Sequence, residues 1–262
     1  YVHFILKQIK SKPSPDGITI QLIIQSLPII ENYLLNIINE SITSGKPVNN
    51  LPKYEQILEH IIKKQLVDFI EKWDILCEEQ CGFRNNQSCV MALNLVQEDW
   101  KQDSDKNKYV IAVFLDFQRA FEMIDRDIII KKLSKNGIKG KAFKWFKDYL
   151  TNRYQTTKVG ETISEPMTIT LGVSQGSVLR PIIFIMCIND MVKVLKHWKI
   201  RLFADDALIS IAGEDYELIM NHLNEDLHNI LIWLKKNKLK LNVNKTKFMN
   251  IGKRVTQTKK TY

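Results

Sequence analysis

An α+β fold, an antiparallel sheet with helices on one face, is what this sequence predicts, and three observations carry it. The first hundred residues read as amphipathic helices separated by turn signals. From Val110 the pattern changes to short β-branched apolar runs, the clearest being Val110-Ile111-Ala112-Val113-Phe114-Leu115. A long amphipathic stretch, about Asp215 to Lys236, then separates a hairpin from the last strands.

The elements follow in order. A Ser14-Pro15-Asp16-Gly17 turn stops any preceding helix, and residues 18–44 carry helical periodicity interrupted at Pro28. Residues 53–72 alternate apolar and charged residues on a helical period, and a further helix runs from Ser88 to Lys101. The strand into Asp116 comes next, then helices near 127–136 and 140–151. Alternating residues from Tyr154 to Leu171 predict a hairpin turning at Gly160-Glu161. A helix after Gly176 leads to a hairpin that holds Asp205 and Asp206. The Lys-Arg-rich end after Gly252 reads as a frayed tail, and there is no internal repeat.

Composition bounds the function classes. A hydrophobic content of 45% excludes a wholly disordered polymer, and 262 residues suffice for a sizeable core. Net charge of +9 suits a polyanion, though charge alone fits RNA binding, membrane-surface binding or solubility. Trp145 beside Lys147 and Trp198 beside Lys199 could stack on bases, but tryptophans at such positions are more often core. Cys77, Cys81, Cys89 and Cys187 lack paired-ligand spacing, so they read as reduced thiols of an intracellular protein, in cytoplasm or nucleus, rather than as a zinc site. The apolar runs are too short for a transmembrane helix, no signal peptide is present, and Tyr1 in place of Met suggests a fragment.

The chemistry lies in Leu202-Phe203-Ala204-Asp205-Asp206-Ala207-Leu208. An isolated Asp-Asp pair is most often a solvated turn. Here apolar strands flank it, and adjacent carboxylates at a hairpin tip repel and raise each other's pKa unless cations neutralise them. Asp116, at the end of its own apolar strand, is a second such acid. Leu171-Gly172-Val173-Ser174-Gln175-Gly176-Ser177-Val178-Leu179 adds a Gly-rich turn opening an apolar helix, where backbone can approach a phosphate-bearing ligand closely.

In this order the segments resemble the motifs of reverse transcriptases, those of LINE-like, non-LTR retrotransposons in particular. The first motif is Phe114-Leu115-Asp116-Phe117-Gln118-Arg119-Ala120-Phe121-Glu122-Met123-Ile124-Asp125. The second is Gly172 to Pro181 with Ile188-Asn189-Asp190 downstream, the third Phe203-Ala204-Asp205-Asp206, and the fourth Leu239 to Lys247. Ile75 to Arg84, with Gln80-Cys81-Gly82-Phe83-Arg84, looks like the family's segment ahead of the palm. The likeness runs from about Lys10 to Gly252.

The resemblance implies a polymerase palm over 109–252, preceded by a helical N-terminal part with truncated fingers over 1–108 and followed by a basic tail over 253–262, without a complete thumb. It also implies two-metal transfer of a nucleotide from a dNTP to a DNA primer on an RNA template. Asp116, Asp205 and Asp206, with the backbone carbonyl of Phe117, would hold two Mg²⁺ ions, Mn²⁺ being a possible substitute. The three carboxylates are then expected within about 7 Å of one another, since the two ions lie about 4 Å apart. Phe121 matches the aromatic gate that excludes a ribose 2′-hydroxyl. Gln175 and Gly176 would lie against nucleotide and template, and Lys245 would neutralise or protonate the leaving pyrophosphate. Glu122, Asp125, Asp127 and Asp190 are left out of the metal site as helix-end acids.

Departures from the family pattern set the alternative. Ser174 replaces a usual proline, Arg180 a usual glycine and Glu122 a usual aspartate. Asn49-Asn50-Leu51-Pro52 reads as a splice across a missing basic finger segment. The alternative is therefore a non-catalytic relic that keeps metal or RNA binding, and the chain as given is expected not to polymerise at a measurable rate. An RNA-directed RNA polymerase is disfavoured, because those usually carry Gly-Asp-Asp where Ala204-Asp205-Asp206 stands and lack the aromatic gate. Membrane partners are not expected, and oligomeric state is not legible.

Overall fold

Thr19 opens the first helix because its side-chain oxygen accepts the N–H of Leu22 at 3.1 Å, a cap worth about 1 kcal/mol. The computed structural model of the protein describes residues 19–47, 52–151, 153–174 and 176–252. The expected turn at Ser14 to Gly17, the splice at Asn49 to Leu51, Gln175 and the tail after Gly252 lie outside the described residues.

The helices are α1 Ile20–Ser44, α2 Pro52–Lys72, α3 Cys89–Asp105, α4 Ala120–Met123, α5 Arg126–Lys135, α6 Gly140–Leu150, α7 Arg180–Ile188 and α8 Tyr216–Asn237, with a 3-10 turn at Asn189–Val194. The strands are β1 Tyr109–Leu115, β2 Tyr154–Gln155, β3 Lys158–Val159, β4 Thr162–Ile163, β5 Met167–Thr168, β6 Lys199–Phe203, β7 Asp206–Gly213 and β8 Lys247–Gly252. They fall into two compact units, one built from Tyr1–Ile75 and Asp125–Ile183, the other from Leu76–Ile124 and Phe184–Tyr262.

In the first unit, α1 continues through Pro28 instead of breaking there. A proline inside a helix costs about 3 kcal/mol, but Ile23, Leu27, Leu34 and Ile38 are buried along one stripe, each worth about 1.5–3 kcal/mol. Burial wins. Trp145 on α6 stacks on Tyr149 and donates its indole N–H to Ser41 Oγ at 3.2 Å, so it is core rather than a base platform. The Tyr154 to Leu171 hairpin forms as two short ladders, β2 with β5 and β3 with β4, turning at Gly160-Glu161. All four of its strands are exposed.

In the second unit the sheet is antiparallel throughout, ordered β6-β7-β1-β8. Its centre is β1, whose buried residues are of both parities, Val110 and Ala112 as well as Ile111, Val113 and Leu115. Since strand side chains alternate, the sheet centre is covered on both sides. Trp100 of α3 meets Phe114 edge to face, with ring centres 6.4 Å apart, and α8 packs on β7. Asp215 caps α8 by accepting the N–H of Glu217 and Leu218. Buried Asp226 accepts the backbone N–H groups of Lys196, His197 and Trp198, which ties α8 to the entry of β6. Trp198 is likewise buried. Among the described residues no helix is long and apolar enough to cross a membrane.

Candidate active site

The acid pair arises from the β6–β7 hairpin. Phe203 pairs with Asp206, leaving Ala204 and Asp205 as the two-residue turn, with Ala204 at φ +58. Positive φ is the geometry that such tight hairpins require. Register then decides which acid faces which. Leu115 pairs with Ala207, so one step further along both strands Asp116 stands opposite Asp206.

Burial pushes the Asp206 carboxyl up from its ordinary value, and the neighbouring Asp205 and Asp116 charges push it further. Asp206 therefore senses both neighbouring acids. Among the described residues, however, no group of three or more His, Cys, Asp or Glu is gathered closely enough to hold a metal ion. Like charges repel, and carboxylates draw to ligating distance only around a cation. In donor chemistry the set fits a hard divalent ion: carboxylate oxygens only, with mutual repulsion that a cation relieves.

The chain beyond Asp116 is held by its far neighbour. Gln118 N–H donates to the Lys240 carbonyl and Asn242 N–H donates to the Asp116 carbonyl, each at 2.8 Å, flanking an antiparallel bridge between Phe117 and Leu241. Because the bonds to that side come from residues 116 and 118, the N–H and C=O of Phe117 itself point the other way, toward the β7 side where the acid pair stands. The Phe117 side chain is buried. Lys245 is exposed in the turn hung from Asp116 through Asn242, its own N–H donating to the Asn242 carbonyl at 3.1 Å. Phe121, half-buried on α4, packs on core Phe184 with ring centres 4.5 Å apart.

Gly176 lies in the first unit. It is exposed, at φ +85, with open space around its Cβ position. The turn around it is pinned on both sides. Buried Arg126 donates to the carbonyls of Gly172 at 2.7 Å, Ile169 at 2.7 Å and Leu150 at 3.0 Å. On the other side, Glu59 accepts the Val178 N–H at 2.7 Å and the Tyr149 hydroxyl at 2.6 Å, and that hydroxyl also shares a hydrogen bond with Ser177. Ser174 is exposed and Arg180 half-buried. Of the acids set aside as helix-end groups, Asp125 caps α5 by accepting the Ile128 N–H, and Asp190 accepts the Trp233 indole N–H.

A family model described as reverse transcriptase (RNA-dependent DNA polymerase) matches residues 38–261. The chain belongs to the reverse transcriptase family. A probable RNA-directed DNA polymerase from transposon BS of Drosophila melanogaster is 29% identical over 218 residues, covering 79% of this chain and 24% of the relative. Another, from transposon X-element of the same fly, is 25% identical over 207 residues, covering 78% and 23%. The chain thus spans about a quarter of the length of these curated relatives. Among solved structures, telomerase from Candida albicans, determined with a fragment of telomeric RNA, aligns with a TM-score of 0.56 at 15% identity over 79% of this chain and 39% of that one. Apo telomerase from Candida tropicalis aligns at 0.55 and 11%, over 90% and 44%. At such identities the likeness is one of fold, and the fold is that of a reverse transcriptase palm. Reverse transcriptases generally use a divalent metal.

Sequence reasoning placed Gln80, Gly82 and Asn242 in family motifs without giving them a role, and did not single out Glu59 or Arg126, whose partners lie at least 24 residues away in the chain.

Proposed function

We propose that this chain is the RNA-directed DNA polymerase domain of a retrotransposon, adding dNTP to a DNA primer on an RNA template. The observation that carries the reading is the register that brings Asp116 and Asp206 to neighbouring strand ends beside Asp205, where burial first and the two neighbouring charges second raise Asp206. Asp116, Asp205, Asp206 and the Phe117 carbonyl would hold two Mg²⁺ ions, with Mn²⁺ able to replace them. When bound, such ions activate the primer 3′-hydroxyl and stabilise charge on the triphosphate. Phe121, braced on Phe184, closes the space a ribose 2′-hydroxyl needs. Lys245 serves the pyrophosphate as a cation and proton donor, and the resemblance gives Gln175 and Gly176 a role in binding nucleotide. The palm spans 109–252 in this reading, net charge of +9 favours a nucleic-acid partner, and the free cysteines fit an intracellular compartment.

The test is primer extension on an RNA template with dNTPs and Mg²⁺, run on the full open reading frame. Extension that is abolished by Asp205→Asn and retained in Asp127→Asn supports the reading. Extension indifferent to Asp205 refutes it.

A further inference from the structure

The buried side chain of Gln80 touches the turn that carries the acid pair. Its Oε1 accepts the N–H of Gly82 at 2.8 Å and the N–H of Ala204 at 3.2 Å, and the residue is 0% exposed. The segment around it runs parallel to β6: Cys81 N–H donates to the Leu202 carbonyl and Leu202 N–H to the Glu79 carbonyl, both at 2.8 Å. Nothing larger than glycine fits beside it, since a Cβ on Gly82 would lie 2.1 Å from the Ala204 nitrogen. One side-chain oxygen thus fixes the first residue of a turn whose second residue is Asp205.

We infer that Gln80 is a positioning residue for the metal-binding acids, fixing the left-handed conformation of Ala204 and through it the direction in which Asp205 and Asp206 leave the turn. The inference rests on the reading of those acids as ion ligands. A turn residue outside the β6–β7 ladder has no strand partner to hold its N–H. Without the Gln80 oxygen the buried Ala204 N–H loses its acceptor, and φ +58 in a non-glycine residue loses its support. Groups that orient ligands from behind typically govern metal affinity by about 10–100-fold.

The probe is Mn²⁺ alone, its binding to the whole chain read by electron paramagnetic resonance. Gln80→Met keeps the volume and removes the acceptor, so the dissociation constant is expected to rise by about tenfold or more, while Asp205→Asn abolishes specific binding. Specific binding by the unaltered chain together with unchanged affinity in Gln80→Met overturns the role of Gln80 alone. An unaltered chain that binds no Mn²⁺, or binds it equally well after Asp205→Asn, overturns the ion-ligand reading and this role with it. Hydrogen exchange in the unaltered chain keeps the contact testable should Gln80→Met not fold. The Ala204 amide is expected to be protected like the neighbouring strand amides, and exchange as fast as that of an exposed turn amide overturns the inference.

Discussion

Each unit holds a carboxylate whose pKa burial pushes up, Glu59 in one and Asp206 in the other, and their surroundings are opposite in kind. Glu59 is 5% exposed, yet the Tyr149 hydroxyl and the Val178 N–H both donate to it. Asp206 is the more exposed of the two, and what lies beside it is two further acids. Among the described residues, no hydrogen bond or ion pair reaches the side chains of Asp116, Asp205 or Asp206. A charge kept for structure is surrounded by donors; a charge left against like charges costs stability, and that is the setting in which the proposed cation would act.

The largest effect that separates the two settings is catalytic. Asp205→Asn and Asp116→Asn are expected to lower primer extension by about 10³-fold or more, whereas Glu59→Gln should cost far less. Equal losses would break the comparison. In stability the order reverses: Glu59→Ala leaves the part-buried Val178 N–H without its acceptor and the buried Tyr149 hydroxyl with Ser177 alone, and should cost about 1–3 kcal/mol in denaturant unfolding. Loss of under about 0.5 kcal/mol would place Glu59 among solvated charges. A smaller effect concerns sugar choice, where Phe121→Ala should raise rNTP use relative to dNTP by about tenfold in competition assays, and an unchanged ratio would make Phe121 a core ring only.

How much of this was legible in the sequence depends on the reach of each interaction. The strand ends and hairpin turn that carry Asp116, Asp205 and Asp206 were legible because apolar strands announce their own ends, and the helix starts at Ser88 and Asp215 were legible because caps are local. Continuity of α1 through Pro28 was not, since it depends on what Ile23, Leu27, Leu34 and Ile38 are buried against. Glu59 looked like one more charge on an amphipathic helix, and its partners are 90 and 119 residues away. Gln80 meets Ala204 across 124 residues. The sequence also led to an expectation of the three carboxylates within about 7 Å of one another, while among the described residues no group of three or more His, Cys, Asp or Glu is placed so that it could hold a metal ion.

The smallest effect is a pH signature. The folded-state pKa of Asp206 lies above its ordinary 3.8, so its contribution to stability is complete below that value and is lost as pH rises through the folded pKa. Asp206→Asn should therefore raise the melting temperature modestly at pH 7, with the gain fading as pH falls below the ordinary carboxylate range. A gain independent of pH would mean that charge is not its cause.

The central claim is that these three acids form one cation site, and ion-dependent stability tests it most directly. At pH 7, Mn²⁺ or Mg²⁺ at about a hundred times its dissociation constant should stabilise the unaltered chain by about 2.7 kcal/mol in thermal unfolding. That increment should vanish in both Asp205→Asn and Asp116→Asn and persist in Asp127→Asn. Equal stabilisation in all four proteins, or none in any, would contradict the account.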